Sequence, residues 1–426
     1  MTLRERDKQA IWHPYTQEKT AADNVIMARG EGAYLYDESG TKYIDATSSW
    51  WTNMHGHAHP YIAAKIGEQA KKLEQVIFSG FSHEPAIILA ERLLGILPEG
   101  YEKVFYSDNG STAVEAAIKM SLQYWKNQGQ ERTKIICFRD AYHGDTFGAM
   151  SISARGVFTD PYSRLLFDVF FINTPNYTNE EEIIAQFKAV VKEDASQIAA
   201  FIFEPLVLGS SGMKMYRAEL LDQLVGLCRE HQVLTIADEV FTGFGRTGRM
   251  FATDYLTNKA DIICLSKGIT GGFMPFAATI TKGFIYDAFY HDERAKMLFH
   301  GHSYTGNPLG CAAALASLDV FEREDTLQKI EVIVKSHQAF AKKIKSHPAL
   351  LDVRQQGTIL AMEFKVEGQS GYLSSLRDKM YRFFMDRHIM MRPLGNVLYI
   401  LPPYCISAAD LEVIYAAIWE FTESLG

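Results

Sequence analysis

The chain has 426 residues, 47% of them hydrophobic, and a formal net charge of −8. A chain of that size buries a large core without disulfides or structural metals, and its length corresponds to about two to three domain-sized units. It contains no long basic run, which argues against nucleic acid or an anionic membrane surface as a partner.

The opening residues, Met-Thr-Leu-Arg-Glu-Arg-Asp-Lys, mix both charges and lack the apolar stretch of a secretory signal. No apolar run is long enough to span a bilayer. Cys137, Cys228, Cys264, Cys311 and Cys405 are scattered and never in C-x-x-C spacing. They read as reduced, small apolar residues of a cytoplasmic protein.

The first fifty residues read as an arm and then a small sheet, with a hairpin whose strands lie at 33–36 and 42–44 around Asp37-Glu38-Ser39-Gly40. From about His59, helical stretches alternate with short apolar runs. The strand candidates are 103–106, 134–138, 169–172, 200–203, 234–237, 262–265 and 277–281; helices are expected at 112–128, 180–193 and 217–231. Near-continuous apolar runs suggest strands covered on both faces. Their alternation with helices predicts an α/β fold around a mainly parallel sheet of seven strands. Past Leu309 one long helical stretch runs to about His347. Strands near 353 and 361–364, a helix near 373–387, a strand at 397–400 and a final helix follow, which reads as a smaller α+β domain. The expected division is 1–55 for the arm and hairpin, joined to the small domain, 56–312 for the large domain and 313–426 for the rest of the small one.

Ligands of open α/β sheets bind outside the carboxyl ends of the strands. Four segments at predicted strand ends carry chemistry. Ser107-Asp108-Asn109-Gly110-Ser111-Thr112 opens a helix, with Thr112-x-x-Glu115 as a capping-box pattern. Its free amides and small residues suit a phosphate, although ordinary capped helices look alike. Phe138-Arg139-Asp140-Ala141-Tyr142-His143 places an aromatic ring, Tyr142, where it could stack on a flat ligand. Asp238 ends an apolar strand, and a buried carboxylate needs an arginine, a lysine or a cationic ligand such as a protonated pyridine. Lys267 follows the next apolar strand and precedes a glycine-rich turn; burial there favours the neutral amine that forms imines. Each feature alone has a structural explanation. Together they supply the contacts that pyridoxal phosphate requires.

Asp238-Glu-Val-Phe-Thr-Gly-Phe-Gly-Arg246-Thr-Gly248, followed by Ser266-Lys267-Gly268, resembles the signature of the class III pyridoxal-phosphate aminotransferases, and the similarity extends from the Trp12 region to the C-terminus. The resemblance implies a fold-type I transferase that acts as a homodimer on small-molecule substrates. It implies that Lys267 carries the cofactor as a Schiff base, and that Asp238 pairs with the pyridine nitrogen. Tyr142 and Val240 would cover the two ring faces, and Gly110 and Ser111 would hold the phosphate. His302 and Ser303 would reach the phosphate of the neighbouring subunit. Arg392 would bind a substrate carboxylate, Tyr15, Trp50, Tyr142 and Gly301 would line the substrate pocket, and Tyr15 would join Lys267 and Asp238 as a catalytic residue.

Ile11-Trp-His-Pro-Tyr15-Thr, Ser48-Ser-Trp50-Trp51, Tyr142-His-Gly-Asp-Thr-Phe-Gly-Ala-Met150, His300-Gly-His-Ser303-Tyr-Thr-Gly-Asn-Pro308, and Arg392-Pro-Leu-Gly with Leu401-Pro-Pro-Tyr404 are similar to the branch of the family that works in biotin synthesis. That implies amination of 8-amino-7-oxononanoate. Tyr15 and Trp50 resemble users of S-adenosyl-L-methionine as amino donor, whereas His302-Ser303 resembles users of lysine. An ω-amino-acid or diamine aminotransferase, or a cofactor-binding regulator without turnover, are the alternatives. Leu208 stands where the family often has glutamine, so one polar contact near the cofactor is expected to be missing or replaced. The alternating His55, His57 and His59 have no cysteine or carboxylate nearby in sequence to complete a metal set. Gly301-His-Ser303-Tyr-Thr-Gly306 misses the G-x-S-x-G hydrolase elbow by one residue.

Overall fold

The computed structural model describes residues 1–366 and 374–425; position 373, where the predicted helix at 373–387 begins, lies outside the described residues, and the helix there is Leu376–Met385. After an N-terminal helix, Leu3–Ala10, come β1 (Met27–Glu31), β2 (Tyr34–Asp37) and β3 (Lys42–Asp45), paired antiparallel in that order. Asp37 makes the turn between β2 and β3: its Oδ1 accepts the amides of Ser39 and Thr41, each at 2.9 Å. This is the side-chain mimicry of a backbone turn that suits aspartate.

The large sheet contains β4 (Tyr101–Ser107), β5 (Lys134–Phe138), β6 (Phe170–Ile172) and β7 (Ile198–Phe203). A short ladder follows, β8 (Val207–Leu208) with β9 (Lys214–Met215). The sheet continues with β10 (Leu234–Asp238), β11 (Ile262–Leu265) and β12 (Ala277–Lys282). Its spatial order is β4-β12-β11-β10-β7-β5-β6. All neighbours pair in parallel except β12, which is antiparallel to both β11 and β4. Alternate side chains feed two apolar layers. Ile135, Cys137, Ile236 and Cys264 pack with the helix Gly110–Asn127, while Ile136, Phe138, Ala237 and Leu265 join the larger cluster on the other face. That is why these strands read as unbroken apolar runs.

The long helix expected after Leu309 is two helices, Pro308–Arg323 and Thr326–Ile344, separated at Asp325, whose φ is 48°. The first packs on Pro60–Ala70 and Glu84–Ile96, so position 312 falls inside an element of the large unit. The C-terminal part builds the antiparallel sheet of β13 (Leu350–Gln356), β14 (Ile359–Phe364) and, after the two-residue β15 (Ile389–Met390), β16 (Val397–Ile400). β15 pairs in parallel with β3, Ile389 opposite Ile44, which ties the N-terminal hairpin to the C-terminal part. Four cysteines are buried and Cys405 is exposed.

Candidate active site

A cavity of about 650 Å³ opens at the carboxyl ends of β4, β5, β7, β10 and β11. Because β12 runs the other way, its entry residues Pro275 and Phe276 reach the same edge. Tyr15, Trp50, Gly110, Ser111, Tyr142, Asp238, Val240, Lys267 and Arg392 all line it. Gly301, His302 and Ser303 do not. His302 stands at the margin, its Nδ1 3.4 Å from Asp108 Oδ2.

The helix Gly110–Asn127 begins two residues before its expected start, and the cap is not Thr112-x-x-Glu115. Asn109 is the N-cap, its Oδ1 accepting the Thr112 amide at 3.1 Å. The amides of Gly110 and Ser111 therefore point from the first turn without an intrahelical acceptor. They meet the positive end of the helix dipole, which is an anion site in waiting. A Cβ on Gly110 would stand 2.6 Å from Val240 Cγ1, and one on Gly144 would collide with the Ser111 hydroxyl. Close approach is thus built into both glycines. Glu115 serves elsewhere, accepting Thr146 Oγ1–H at 2.5 Å and the Ala149 amide at 3.0 Å.

Asp238 has a partner that the sequence did not suggest. His143 Nδ1 lies 2.7 Å from Asp238 Oδ2, and the Val240 amide donates to Oδ1 at 3.1 Å. His143 Nε2 is buried and has no hydrogen-bond partner among the described residues. Histidine beside Tyr142, directly after an apolar strand, was the available signal.

Lys267 sits at φ 43°, a left-handed conformation uncommon for lysine. Its Nζ is 5.1 Å from the ring centre of Trp51 and 5.7 Å from that of Phe241. Burial pulls its pKa below the ordinary lysine value, against the opposing pull of Asp238 and Glu204. Arg392 stacks on Trp50, guanidinium to ring centre 4.2 Å. Tyr15 donates to Asp145 Oδ2 at 2.5 Å and meets Trp50 edge-on, ring centres 5.8 Å apart.

The turn Ser48–Trp51 carries three non-glycine residues at positive φ: Ser48 (50°), Ser49 (57°) and Trp51 (66°). Each costs of order 1–3 kcal/mol and persists only where its surroundings hold it.

Glu204 also lines the cavity, and no sequence expectation singled it out. Its oxygens accept the Tyr142 amide at 2.9 Å and the Gly209 amide at 3.0 Å. Burial first, and Asp238 second, push its pKa up to about 7, against His143 and the two amides. A folded-state value above the unfolded one favours folding at low pH, and that advantage disappears as pH rises from about 4.5 through about 7. Glu204→Gln is therefore expected to gain melting temperature relative to the parent between pH 5 and pH 8. A difference that stays constant across that range would mean Glu204 is already ionised at pH 5. Leu208 is fully buried in the apolar cluster and does not line the cavity, so the residue in the glutamine position packs rather than contacts a ligand.

The three histidines each have a separate partner. His55 Nε2 meets Ser317 Oγ at 3.0 Å, His57 Nε2 meets Asp45 at 2.8 Å, and His59 Nε2 meets Glu324 at 2.8 Å.

Comparison with known proteins gives a consistent picture. The profile of the family described as aminotransferase class-III matches residues 15–421. An adenosylmethionine-8-amino-7-oxononanoate aminotransferase from Synechococcus elongatus is 45% identical over 422 residues, covering 97% of this chain and 99% of its own. The crystal structure of an enzyme of the same name from Methanocaldococcus jannaschii superposes with a TM-score of 0.95 at 38% identity, covering 99% of this chain and 98% of that one. An omega transaminase from Pseudomonas jessenii, in complex with PMP, reaches a TM-score of 0.94 at 26% identity, covering 100% and 99%. Backbone similarity is nearly equal for the last two, so the fold does not select the substrate; the side chains in the cavity must.

Proposed function

The chain belongs to the class-III aminotransferases, and from that membership we propose that it transfers an amino group from S-adenosyl-L-methionine to 8-amino-7-oxononanoate, yielding 7,8-diaminononanoate in biotin synthesis. The observation carrying this reading is one cavity in which a lysine of lowered pKa, a histidine-paired carboxylate and a bare helix N-terminus face an arginine stacked on tryptophan.

The cofactor is pyridoxal 5′-phosphate. The residues present fit it: Gly110, where a Cβ has no room, and Ser111 offer amides at a helix start, and the cavity holds a flat aromatic side chain, a carboxylate and an amine. When bound, it supplies an electrophilic carbon and a ring that takes up the electron pair released at the donor's α-carbon. Lys267 would hold it covalently and, once displaced, would carry the proton on Nζ. Asp238, oriented by His143, would keep the ring nitrogen protonated. Tyr142 and Val240 would cover its faces. Arg392 would take the carboxylate of the keto substrate in its planar fork of donors. Tyr15 and Trp50 would receive the adenosyl group and sulfonium charge of the donor.

Gly301, His302 and Ser303 lie outside the cavity, on a loop where Phe299 is 58% and Tyr304 61% exposed. Exposed aromatic residues beside an active site fit a covering second copy. We assign this loop to the interface of a homodimer, in which the partner's His302 and Ser303 reach the phosphate and the partner's Gly301 borders the substrate. The buried cysteines fit a cytoplasmic setting, and no helix among the described residues is long and apolar enough to cross a membrane.

Adding adenosylmethionine, lysine and alanine separately to the holoenzyme and following the absorbance of the bound cofactor tests the donor. Adenosylmethionine alone is expected to convert it. Conversion by lysine instead would reassign the donor, and no conversion by any of them would favour a binding protein without turnover. Arg392→Ala is expected to raise KM for 8-amino-7-oxononanoate on the order of 100-fold, through loss of a charge-assisted pair, and to affect adenosylmethionine far less. Equal effects on both substrates in steady-state kinetics would remove Arg392 from the keto-acid site.

A further inference from the structure

The strained turn Ser48–Trp51 carries the two tryptophans that flank the cavity. Its most unusual member is Ser49, at φ 57° and ψ −106°, a combination that L-residues rarely hold. Such backbone persists only where its surroundings leave it no choice. Here the constraint is Asp45, a fully buried carboxylate that does not line the cavity. Its Oδ1 accepts the Thr47 amide at 3.0 Å; its Oδ2 accepts the Ser49 amide at 2.7 Å and faces His57 Nε2 at 2.8 Å.

The ring of His57 is itself set by hydrogen-bond accounting. Asn53 Oδ1 is taken by the Gly56 amide at 2.8 Å, so Asn53 presents its Nδ2 to His57 Nδ1 at 3.0 Å. His57 Nδ1 must then accept, which leaves the proton on Nε2, aimed at Asp45. The two serines of the turn are fastened as well, Ser49 by its amide and Ser48 by its hydroxyl, which donates to the Leu401 carbonyl at 2.8 Å.

The turn aims its two rings at different groups. Trp50 lies 4.2 Å below the Arg392 guanidinium, and Trp51 lies 5.1 Å from Lys267 Nζ, with its Nε1 donating to Tyr399 OH at 3.0 Å. Trp51 is buried and held by Tyr399. Trp50 is 41% exposed, so the backbone of the turn shares in fixing it alongside the Tyr15 edge and the Arg392 guanidinium.

We propose that Asp45 and His57 are positioning residues for the substrate pocket: they hold the strained Ser48–Trp51 turn and thereby keep Trp50 beneath Arg392, with the guanidinium aimed at the carboxylate of the keto substrate. This rests on the reading of Arg392 given above. Neither residue takes part in the chemistry at Lys267. Their effect falls on substrate recognition, on the keto substrate through Arg392 and on the donor through Trp50 itself.

Four holoenzyme variants and one combination test this. Asp45→Asn offers one acceptor oxygen in place of two. His57→Leu removes the donor, and His57→Gln returns an N–H near the Nε2 position. Ser49→Gly removes the Cβ that makes the backbone of the turn costly. Asp45→Asn and His57→Leu are expected to raise KM for 8-amino-7-oxononanoate by about 10-fold or more, and KM for adenosylmethionine as well because Trp50 borders both substrates, with kcat at saturating substrates within about threefold of the parent. His57→Gln is expected to return KM to within about threefold, and Ser49→Gly to recover most of the loss in the Asp45→Asn background. Binding of 8-aminononanoate, which lacks the ketone, read by tryptophan fluorescence, should weaken in parallel with KM. If Asp45→Asn does not fold, the His57→Leu and His57→Gln pair decides. An unchanged KM and Kd in folded His57→Leu protein overturns the proposal. So does a joint fall of kcat and melting temperature that neither His57→Gln nor Ser49→Gly relieves. Failure of the reading of function would show in the parent enzyme as no amination of 8-amino-7-oxononanoate, and the same comparisons would then be made with the carboxylate substrate it does accept.

Discussion

Lys267→Ala protein is expected to bind pyridoxal phosphate without a covalent link and to lose transamination by at least about four orders of magnitude, because one side chain supplies both the attachment and the proton transfer. The physical reasons lie within a few ångströms of Nζ. Burial lowers its pKa, so the neutral amine that attacks a carbonyl is more accessible than on a surface lysine. Trp51 and Phe241 enclose it, with ring centres 5.1 Å and 5.7 Å away, and keep its approach narrow. Asp238 and Glu204 prevent the shift from going further. Borohydride reduction followed by peptide mass spectrometry should find the adduct on Lys267 in the parent and nowhere in the variant. A reducible adduct surviving in Lys267→Ala would move the catalytic role to another amine. Partial rescue by added methylamine would separate the proton-carrying role from the attachment.

Asp238→Asn is expected to lower the rate of donor-driven cofactor conversion by about 10²–10³, on the scale of removing a preorganised charge partner from a reacting system. The substitution keeps the side-chain shape and retains an oxygen for the Val240 amide, now at 3.1 Å. It removes the negative charge that faces His143 at 2.7 Å and that would hold a proton on the ring nitrogen. Stopped-flow absorbance with adenosylmethionine in single turnover isolates that step from substrate binding. A loss of less than tenfold would mean that Asp238 serves the His143 pair and not the cofactor.

Much of the frame was legible because the strands are covered on both faces. β7 is buried along its whole length, and such a run announces itself by composition. Strand direction does not: β12 has the same apolar character as β11, yet it runs the opposite way. The helix break at Asp325 was hidden because Arg323-Glu324-Asp325-Thr326 has no glycine or proline to mark it. In the site, residues at strand ends could be found one by one, since each strand end is a local feature. Pairings across the sheet could not. His143 and Asp238 are 95 positions apart, and no spacing rule connects them. Glu204 was missed although it directly follows a buried strand, much as Asp238 closes one. The strained turn left no trace either, because Ser-Ser-Trp-Trp carries none of the residues that usually announce positive φ.

The Ser48 hydroxyl bonds to Leu401, 353 positions later, and Tyr34 bonds to Asp410, 376 positions later. The groups with which a subunit's own cavity would hold the cofactor lie between Gly110 and Lys267, in the middle of the chain. Synthesis proceeds from the N-terminus. A ribosome that has completed the helix Pro308–Arg323 has therefore delivered every residue of this chain assigned to the phosphate, the ring and the amine. It has not yet made the arginine for the acceptor, nor the strand that fastens the first hairpin. Trp50, among the earliest residues to emerge, waits until near the end of the chain for Arg392. Chemical competence belongs to the middle of the message, and the choice of substrate is the last property the nascent chain acquires.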